Sequence, residues 1–382
     1  MSHFSFATAG RIVFGEGEAG QLPSLVATLG ARPFVCTGGH PDRHAALLER
    51  IGGGTHAIAH EPTFDDLRTA TAAAREHGAD VVIGLGGGAV LDAAKAVAAL
   101  LANPGDPLHY AEVVGWGNPL LNPALPCVAV PTTSGTGSEV TANAVLTSVE
   151  HGVKVSLRSP SMLPTIALVD PGLTLGCPPA VTAHAGLDAL VQCIEPFVSS
   201  FANPLTDGFC REGIARAGRS LRRAVADGSD RTARADMSLC SLLSGLALAN
   251  AKLGAAHGLA GSLGGLLGVP HGALTAAVMV AVSRANLAAL ADDPDHPAVR
   301  RYAEVGELLT GTRDADAFLD WFEASAREFG VGGLASLGLR EEQIPQVADA
   351  ARRASSTAGN PVRLPLSTLE EILHSSMARE AR

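Results

Sequence analysis

The feature that most limits the fold is a change of rhythm along the chain. Through about the first 170 residues, short apolar runs alternate with helical patterns. PFVCT (33–37), DVVIGL (80–85), CVAVPTT (127–133) and TIALVD (165–170) read as strands, while FDDLRTATAAAREHG (64–78) carries apolar residues at helical spacing. Strands alternating with helices predict a parallel sheet with helices on both faces. RIVFG (11–15) and the VLTSV and VKVSL runs within 145–157 are expected to form a smaller antiparallel element. After Asp170-Pro171 the character changes. AVTAHAGLDALVQCIEPFV, MSLCSLLSGLALANAKLGAAHGLAGSLGG and HGALTAAVMVAVSRANLAAL are rich in Ala and Leu, poor in β-branched runs, and read as helices. Two prolines in GCPPAV mark the expected boundary. The fold class is therefore an α/β Rossmann-like domain with a parallel sheet over residues 1–178, followed by an all-α domain over 179–382.

Composition narrows the function classes. The 382 residues are 47% hydrophobic but only 4% aromatic, so Ala, Leu, Val and Gly must build the core. The formal net charge is −10 and no basic run stands out, which argues against nucleic acid as a partner. Cysteines at 36, 127, 177, 193, 210 and 240 include no C-x-x-C, giving neither a zinc knuckle nor a disulfide framework. The opening MSHFSFATAGRIVFG does not read as a signal peptide. No run of about twenty apolar residues is free of polar breaks, so no membrane span is expected. A cytoplasmic location is the expectation.

Two turns in the first domain suit a phosphate-bearing ligand. Gly84-Leu85-Gly86-Gly87-Gly88-Ala89 follows an apolar strand and opens the helical run VLDAAKAVAALL. Glycines there let backbone N–H groups approach a pyrophosphate at a helix N-terminus. Taken alone, the loop serves equally well as a tight turn. The second turn, PTTSGTGSEVT (131–141), offers hydroxyls and flexible backbone after another strand. Two such turns on successive sheet units favour a nucleotide over coincidence.

The second domain offers a different chemistry. Asp188 and Gln192 lie four residues apart on a predicted helix and share one face. His257 is expected at the end of another apolar helix, and His271, after Pro270, in the first turn of the next. One carboxylate and two imidazoles suit Fe²⁺ or Zn²⁺. Each histidine by itself reads as well as a hydrogen-bonded core residue.

These segments together resemble the iron-containing (group III) alcohol dehydrogenase family, across nearly the whole chain to about Asn360-Pro361. GGGAVLDAAK is similar to the family's G-G-G-S-x-x-D-x-A-K, with Ala89 in place of Ser, and PTTSGTGSEVT matches its second signature almost residue for residue. The resemblance implies that Gly87, Gly88, Thr132 and Thr133 contact NAD or NADP, with Lys154 assisting. Gly38, Gly86, Ala89, Asp92 and Ser138 complete the expected nucleotide set, although Asp92 and Lys95, at i and i+3, read more as fixing the loop and helix than as performing chemistry. Gly38 stands where the family often has an acidic residue, so nothing negative there excludes NADP.

The resemblance also assigns Asp188, Gln192, His257 and His271 to four metal-ligand positions. Gln192 stands where the family usually has histidine, and Gly261 where a further histidine is frequent. Gln192 is expected to be a weak or absent ligand. His184, four residues before Asp188, is a candidate replacement ligand or proton donor, and His184, His257 and His271 form the expected catalytic set. The implied function is NAD(P)-dependent interconversion of a small alcohol with an aldehyde or ketone, a divalent metal polarising the carbonyl. A homodimer is left open. The rivals are a maleylacetate reductase-like, metal-independent reductase, a relative of 3-dehydroquinate synthase, and a catalytically degenerate nucleotide binder.

Overall fold

The computed structural model describes residues 3–378. They divide into two compact units. The sheet unit comprises Ala7–Thr133 and Gly137–Cys177; the helical unit comprises the chain from Pro178 onward, the residues up to Phe6 and the short segment Ser134–Thr136.

The sheet unit contains strands β1 (Arg11–Phe14), β2 (Pro33–Thr37), β3 (Gly54–Ala57), β4 (Val81–Gly86), β5 (Cys127–Pro131), β6 (Asn143–Ser148), β7 (Val153–Arg158) and β8 (Ile166–Val169). Its α-helices are α1 (Leu22–Ala27), α2 (Ala45–Ile51), α3 (Phe64–His77) and α4 (Gly88–Ala102). Six strands form one parallel sheet in the order β1-β8-β5-β4-β2-β3. The central strands β4, β5 and β8 are buried at every position. That is why they read as unbroken apolar runs: a parallel sheet covered on both faces has no polar side to alternate with. The edges β1 and β3 are largely exposed.

RIVFG does not join the antiparallel element expected of it. β1 belongs to the main sheet, parallel to β8, with Arg11 opposite Ile166. Only β6 and β7 form the separate antiparallel pair. A four-residue edge strand carries no local signal for a partner so distant in sequence.

The helical unit holds α5 (Pro179–Val198), α6 (Pro204–Ala226), α7 (Arg231–Ala251), α8 (Ala255–Leu267), α9 (His271–Ala289), α10 (Pro297–Thr310), α11 (Ala315–Glu328), α12 (Ile344–Arg353) and α13 (Leu366–Ser375). α5 is buried along most of its length. α9 is long and apolar enough to cross a bilayer by length and composition, but 67% of that stretch is buried within the protein.

The run expected as one helix through residues 237–265 is two. Lys252 adopts a left-handed φ of 60° and ends α7, and α8 leaves at 102° to it. His257 therefore sits in the first turn of α8, not at the end of a helix.

Candidate metal centre and nucleotide turns

Three elements of the helical unit bring four side chains together. α5 supplies Asp188 and Gln192 on one face, α8 supplies His257, and α9 begins with His271. Gly272 allows this approach. A Cβ there would lie 2.0 Å from the His184 carbonyl oxygen and 3.2 Å from the Asp188 Cβ, so only glycine lets the start of α9 press against α5. One ligand atom from each of Asp188, His257 and His271 lies within 4.8 Å of the others. Asp188 Oδ1 is 3.7 Å from His257 Nε2 and 3.9 Å from His271 Nε2.

The hydrogen bonds around this cluster fix its orientation. Thr275, one turn into α9, donates its hydroxyl to Asp188 Oδ1 at 2.9 Å. Gln192 Nε2 donates to Asp188 Oδ2 at 2.7 Å and to the Gly135 carbonyl at 3.2 Å. Both acceptors lack protons to give, so turning the amide over would set oxygen against oxygen. Gln192 Oε1 is left buried without a hydrogen-bond partner, and so is His257 Nε2. A buried polar atom without a partner typically costs about 1–3 kcal/mol. Two of them beside one carboxylate describe a place that a cation would satisfy.

His257 has a partner on its other nitrogen. Its Nδ1 lies 2.6 Å from Glu195 Oε2. Burial works against protonation of this ring, yet the Glu195 charge and hydrogen bond, with Asp188, outweigh it and hold the imidazole pKa above its ordinary value. His184 is half-buried one turn before Asp188, and burial lowers its pKa. Sequence reasoning missed Glu195. The signal was present: 188, 192 and 195 form an i, i+4, i+7 stripe on α5, and a buried carboxylate on a ligand-bearing stripe asks for a partner.

In the sheet unit, α4 starts at Gly88 with Gly87 as its cap, and no side chain occupies that cap. A Cβ on Gly86 would meet Val90 Cγ2 at 2.6 Å, and one on Gly87 would meet Thr133 Oγ1 at 3.3 Å. The Thr132 N–H donates to the Gly86 carbonyl at 2.9 Å, tying the second turn to the first. Gly87, Gly88, Ala89, Thr132 and Thr133 are partly exposed. Gly38 follows β2 and has open space where a side chain would stand.

Three of the expected nucleotide residues are engaged by protein groups. Asp92 Oδ1 accepts from the Ser138 hydroxyl at 2.5 Å and lies 3.1 Å from Lys95 Nζ; Asp92 Oδ2 accepts from the Val145 N–H at 2.9 Å. Lys95, fully buried, also donates to the Ser138 carbonyl and the Thr141 hydroxyl, both at 3.0 Å. Lys154 pairs with Glu61 at 3.2 Å. Behind this network Glu139 is buried, and burial pushes its carboxyl pKa up to about 7 against the pull of its own backbone N–H and of Lys95.

Known proteins carry both halves. Residues 9–171 match the model of iron-containing alcohol dehydrogenases, and residues 182–377 match that of the C-terminal part of the Fe-containing alcohol dehydrogenase family. A 1,3-propanediol dehydrogenase of Klebsiella pneumoniae is 37% identical over 308 residues, covering 78% of this chain and 76% of that relative. Among solved structures, a 1,3-propanediol oxidoreductase superposes with a TM-score of 0.88 at 31% identity, covering 98% of this chain and 100% of that one. A sulfoacetaldehyde reductase from Bifidobacterium kashiwanohense, in complex with NAD+, superposes at 0.87 and 27% identity over the full length of both. The chain belongs to the iron-containing alcohol dehydrogenase family and is an enzyme of the alcohol dehydrogenase kind.

Proposed function

We propose that the chain interconverts a small alcohol with its aldehyde or ketone by hydride exchange with NAD or NADP, at a centre where Asp188, His257 and His271 hold one divalent metal. The observation that carries this reading is the convergence of those three donors with two buried polar atoms left without a partner, His257 Nε2 and Gln192 Oε1. The donor set of carboxylate, two imidazoles and an amide oxygen suits Fe²⁺ or Zn²⁺. Gln192 Oε1 is a neutral and weaker donor than the histidine usual at this position, and completes the site as its least firmly bound ligand.

A metal ion there supplies Lewis-acid polarisation of a carbonyl oxygen and stabilises the developing alkoxide. The protein's own groups do the rest. Thr275 and Gln192 hold the two Asp188 oxygens in place. His184, whose pKa burial lowers, is the residue we propose to relay the proton. Gly86–Ala89 and Thr132–Thr133 receive the dinucleotide, whose pyrophosphate suits the uncapped start of α4. The open position at Gly38 carries no charge to repel a 2′-phosphate, so NADP is accepted as well as NAD. Asp92 and Ser138 shape these turns from behind.

Oxidation of NADH and NADPH with a panel of aldehydes and ketones tests the reading. Turnover is expected with small carbonyl compounds, and Gly87→Val, which sets a branched side chain against Thr133 and the pyrophosphate, is expected to abolish cofactor binding. Unchanged cofactor affinity in that variant rules out the nucleotide assignment. Binding without turnover on any carbonyl identifies a degenerate nucleotide binder instead.

A further inference from the structure

Glu195 is buried on α5, one turn beyond Gln192, and none of the functions above uses it. Its two carboxylate oxygens are divided between two jobs on α8. Oε2 lies 2.6 Å from His257 Nδ1. Oε1 accepts from the backbone N–H of Ala256, the residue before that histidine, at 2.7 Å. One carboxylate thus grips both the imidazole and the backbone that carries it. The surrounding structure holds the start of α8 in turn. The adjacent Ala255 N–H is taken by Asn360 Oδ1 at 3.1 Å, and Asn360 exchanges hydrogen bonds with Asn286. A Cβ at Gly254 would stand 2.8 Å from Glu195 Oε1 and 3.0 Å from Asn360 Oδ1, so the approach of α8 depends on the missing side chain.

We propose that Glu195 is the positioning residue of the metal centre: its carboxylate takes the Nδ1 proton of His257 in a hydrogen bond and so keeps the Nε2 lone pair turned toward Asp188. The inference rests on the metal reading above. An imidazole has one proton to place between two nitrogens. With an acceptor-only carboxylate at Nδ1, the proton stays there and Nε2 remains an acceptor. Nε2 itself has no hydrogen-bond partner, and it lies 3.7 Å from Asp188 Oδ1. Glu195 also adds a second negative charge beside Asp188, so that the carboxylates together balance a divalent ion.

Glu195→Gln separates this role from packing. The amide has nearly the same shape but one acceptor and one donor. If its oxygen keeps the Ala256 N–H, its NH₂ faces His257 Nδ1 and favours the tautomer with the proton on Nε2, which cannot bind metal. If its oxygen faces His257 instead, the NH₂ opposes the Ala256 N–H. The test titrates the chelator-stripped full chain with Co²⁺ against a competing chelator, follows the Co²⁺ d–d absorption, and records the thermal midpoint of each metal-free variant. Glu195→Gln is expected to keep the metal-free midpoint within a few degrees while weakening Co²⁺ binding by roughly ten- to a hundredfold and changing the d–d bands, as loss of an outer carboxylate does elsewhere. Glu195→Asp, which keeps the charge but shortens the reach, is expected to fall between Gln and wild type. Wild-type affinity and spectrum in a folded Glu195→Gln overturns the proposal. Should that variant fail to fold, the decision passes to Glu195→Asp, where wild-type affinity and spectrum overturn it. His271→Ala leaves the Glu195–His257 pair intact and separates the two readings. Wild-type chain that binds no Co²⁺ refutes the metal centre and this inference with it, whereas wild-type binding lost in His271→Ala but untouched in Glu195→Gln refutes the positioning role alone.

Discussion

Two of the buried polar clusters among the described residues each contain a carboxylate and are satisfied to different degrees. In the sheet unit, Asp92, Lys95, Ser138 and Thr141 spend their donors and acceptors on one another and on neighbouring backbone. In the helical unit, Asp188, Gln192, His257 and Glu195 are equally buried, yet two polar atoms have no partner. A saturated network is complete as a piece of structure. An unsaturated one beside a carboxylate has room in its bonding for a ligand, and a cation is the one proposed above. The first cluster holds the turns in shape, and the second leaves two polar atoms without a protein partner.

The sharpest way to break this contrast is to delete a carboxylate from each cluster. Asp92→Ala leaves Lys95 charged in a fully buried position, and is expected to cost about 3–5 kcal/mol of stability, the usual consequence of orphaning one member of a buried pair. Asp188→Asn leaves no such charge and is expected to change the metal-free stability by less than about 1.5 kcal/mol while removing metal affinity. Denaturant midpoints on the stripped proteins check both. Equal losses from the two variants would end the distinction between a structural and a ligand-seeking cluster.

Glu139 sharpens the contrast from within the saturated side, because it is the buried acid there that is costly to ionise. Its carboxyl titrates near 7 in the fold against an ordinary 4.5, so the fold favours the protonated form. The ionisation cost is absent at pH values below 4.5, grows as pH rises, and is complete above about 7. Stability from this group is therefore lost on the alkaline side of that window. The size is about 3.5 kcal/mol at most, since each tenfold change in proton affinity between folded and unfolded chain corresponds to roughly 1.4 kcal/mol. Glu139→Gln cannot ionise, so it is expected to gain on wild type by up to that amount as pH rises from about 4.5 to about 8 in denaturant unfolding. Parallel stability curves for the two proteins would show that Glu139 is not held in the neutral form.

A smaller effect concerns the amide in the metal cluster. Gln192→His replaces the weakest donor with an imidazole and is expected to tighten Zn²⁺ or Fe²⁺ binding on the order of tenfold, since nitrogen is the better donor for these ions. The gain is limited because the hydrogen bonds of Gln192 to Asp188 and Gly135 are lost. Chelator competition measures it. Weaker binding in Gln192→His would show that orienting Asp188 matters more here than a fourth strong ligand.

Much of this was legible in the residues. β2, β4, β5 and β8 announce themselves as apolar runs because a sheet buried on both faces leaves no alternative composition. The pairing of Asp188 with Gln192 followed from helical spacing alone. Other features lay beyond local pattern. β1 has no sequence mark for β8, and the break between α7 and α8 turns on a left-handed lysine, a conformation that side chain does not advertise. Missing that break put His257 at the wrong end of a helix and concealed why Glu195 can reach both its ring and its backbone. For Asp92, Ser138 and Lys154, expected toward the nucleotide, motif spacing shows which residues cluster but not which protein groups they bond. Their partners are Lys95, Val145 and Glu61 together with one another.

The central claim is that the unsatisfied cluster at Asp188 is a working metal site. Its most direct test is the metal content of protein purified without chelator, measured alongside reduction of an aldehyde by NAD(P)H before stripping, after exhaustive chelation, and after metal is returned. About one divalent ion per chain is expected, one site being formed by the three donors. Activity is expected to fall at least about a thousandfold on stripping, since carbonyl polarisation is worth several kcal/mol, and to return with Fe²⁺ or Zn²⁺ in wild type but not in His271→Ala. Full activity in the exhaustively stripped wild type would contradict the claim and place the chain with the metal-independent reductases, leaving His184, His257 and His271 as proton donors or ligands for a substrate anion.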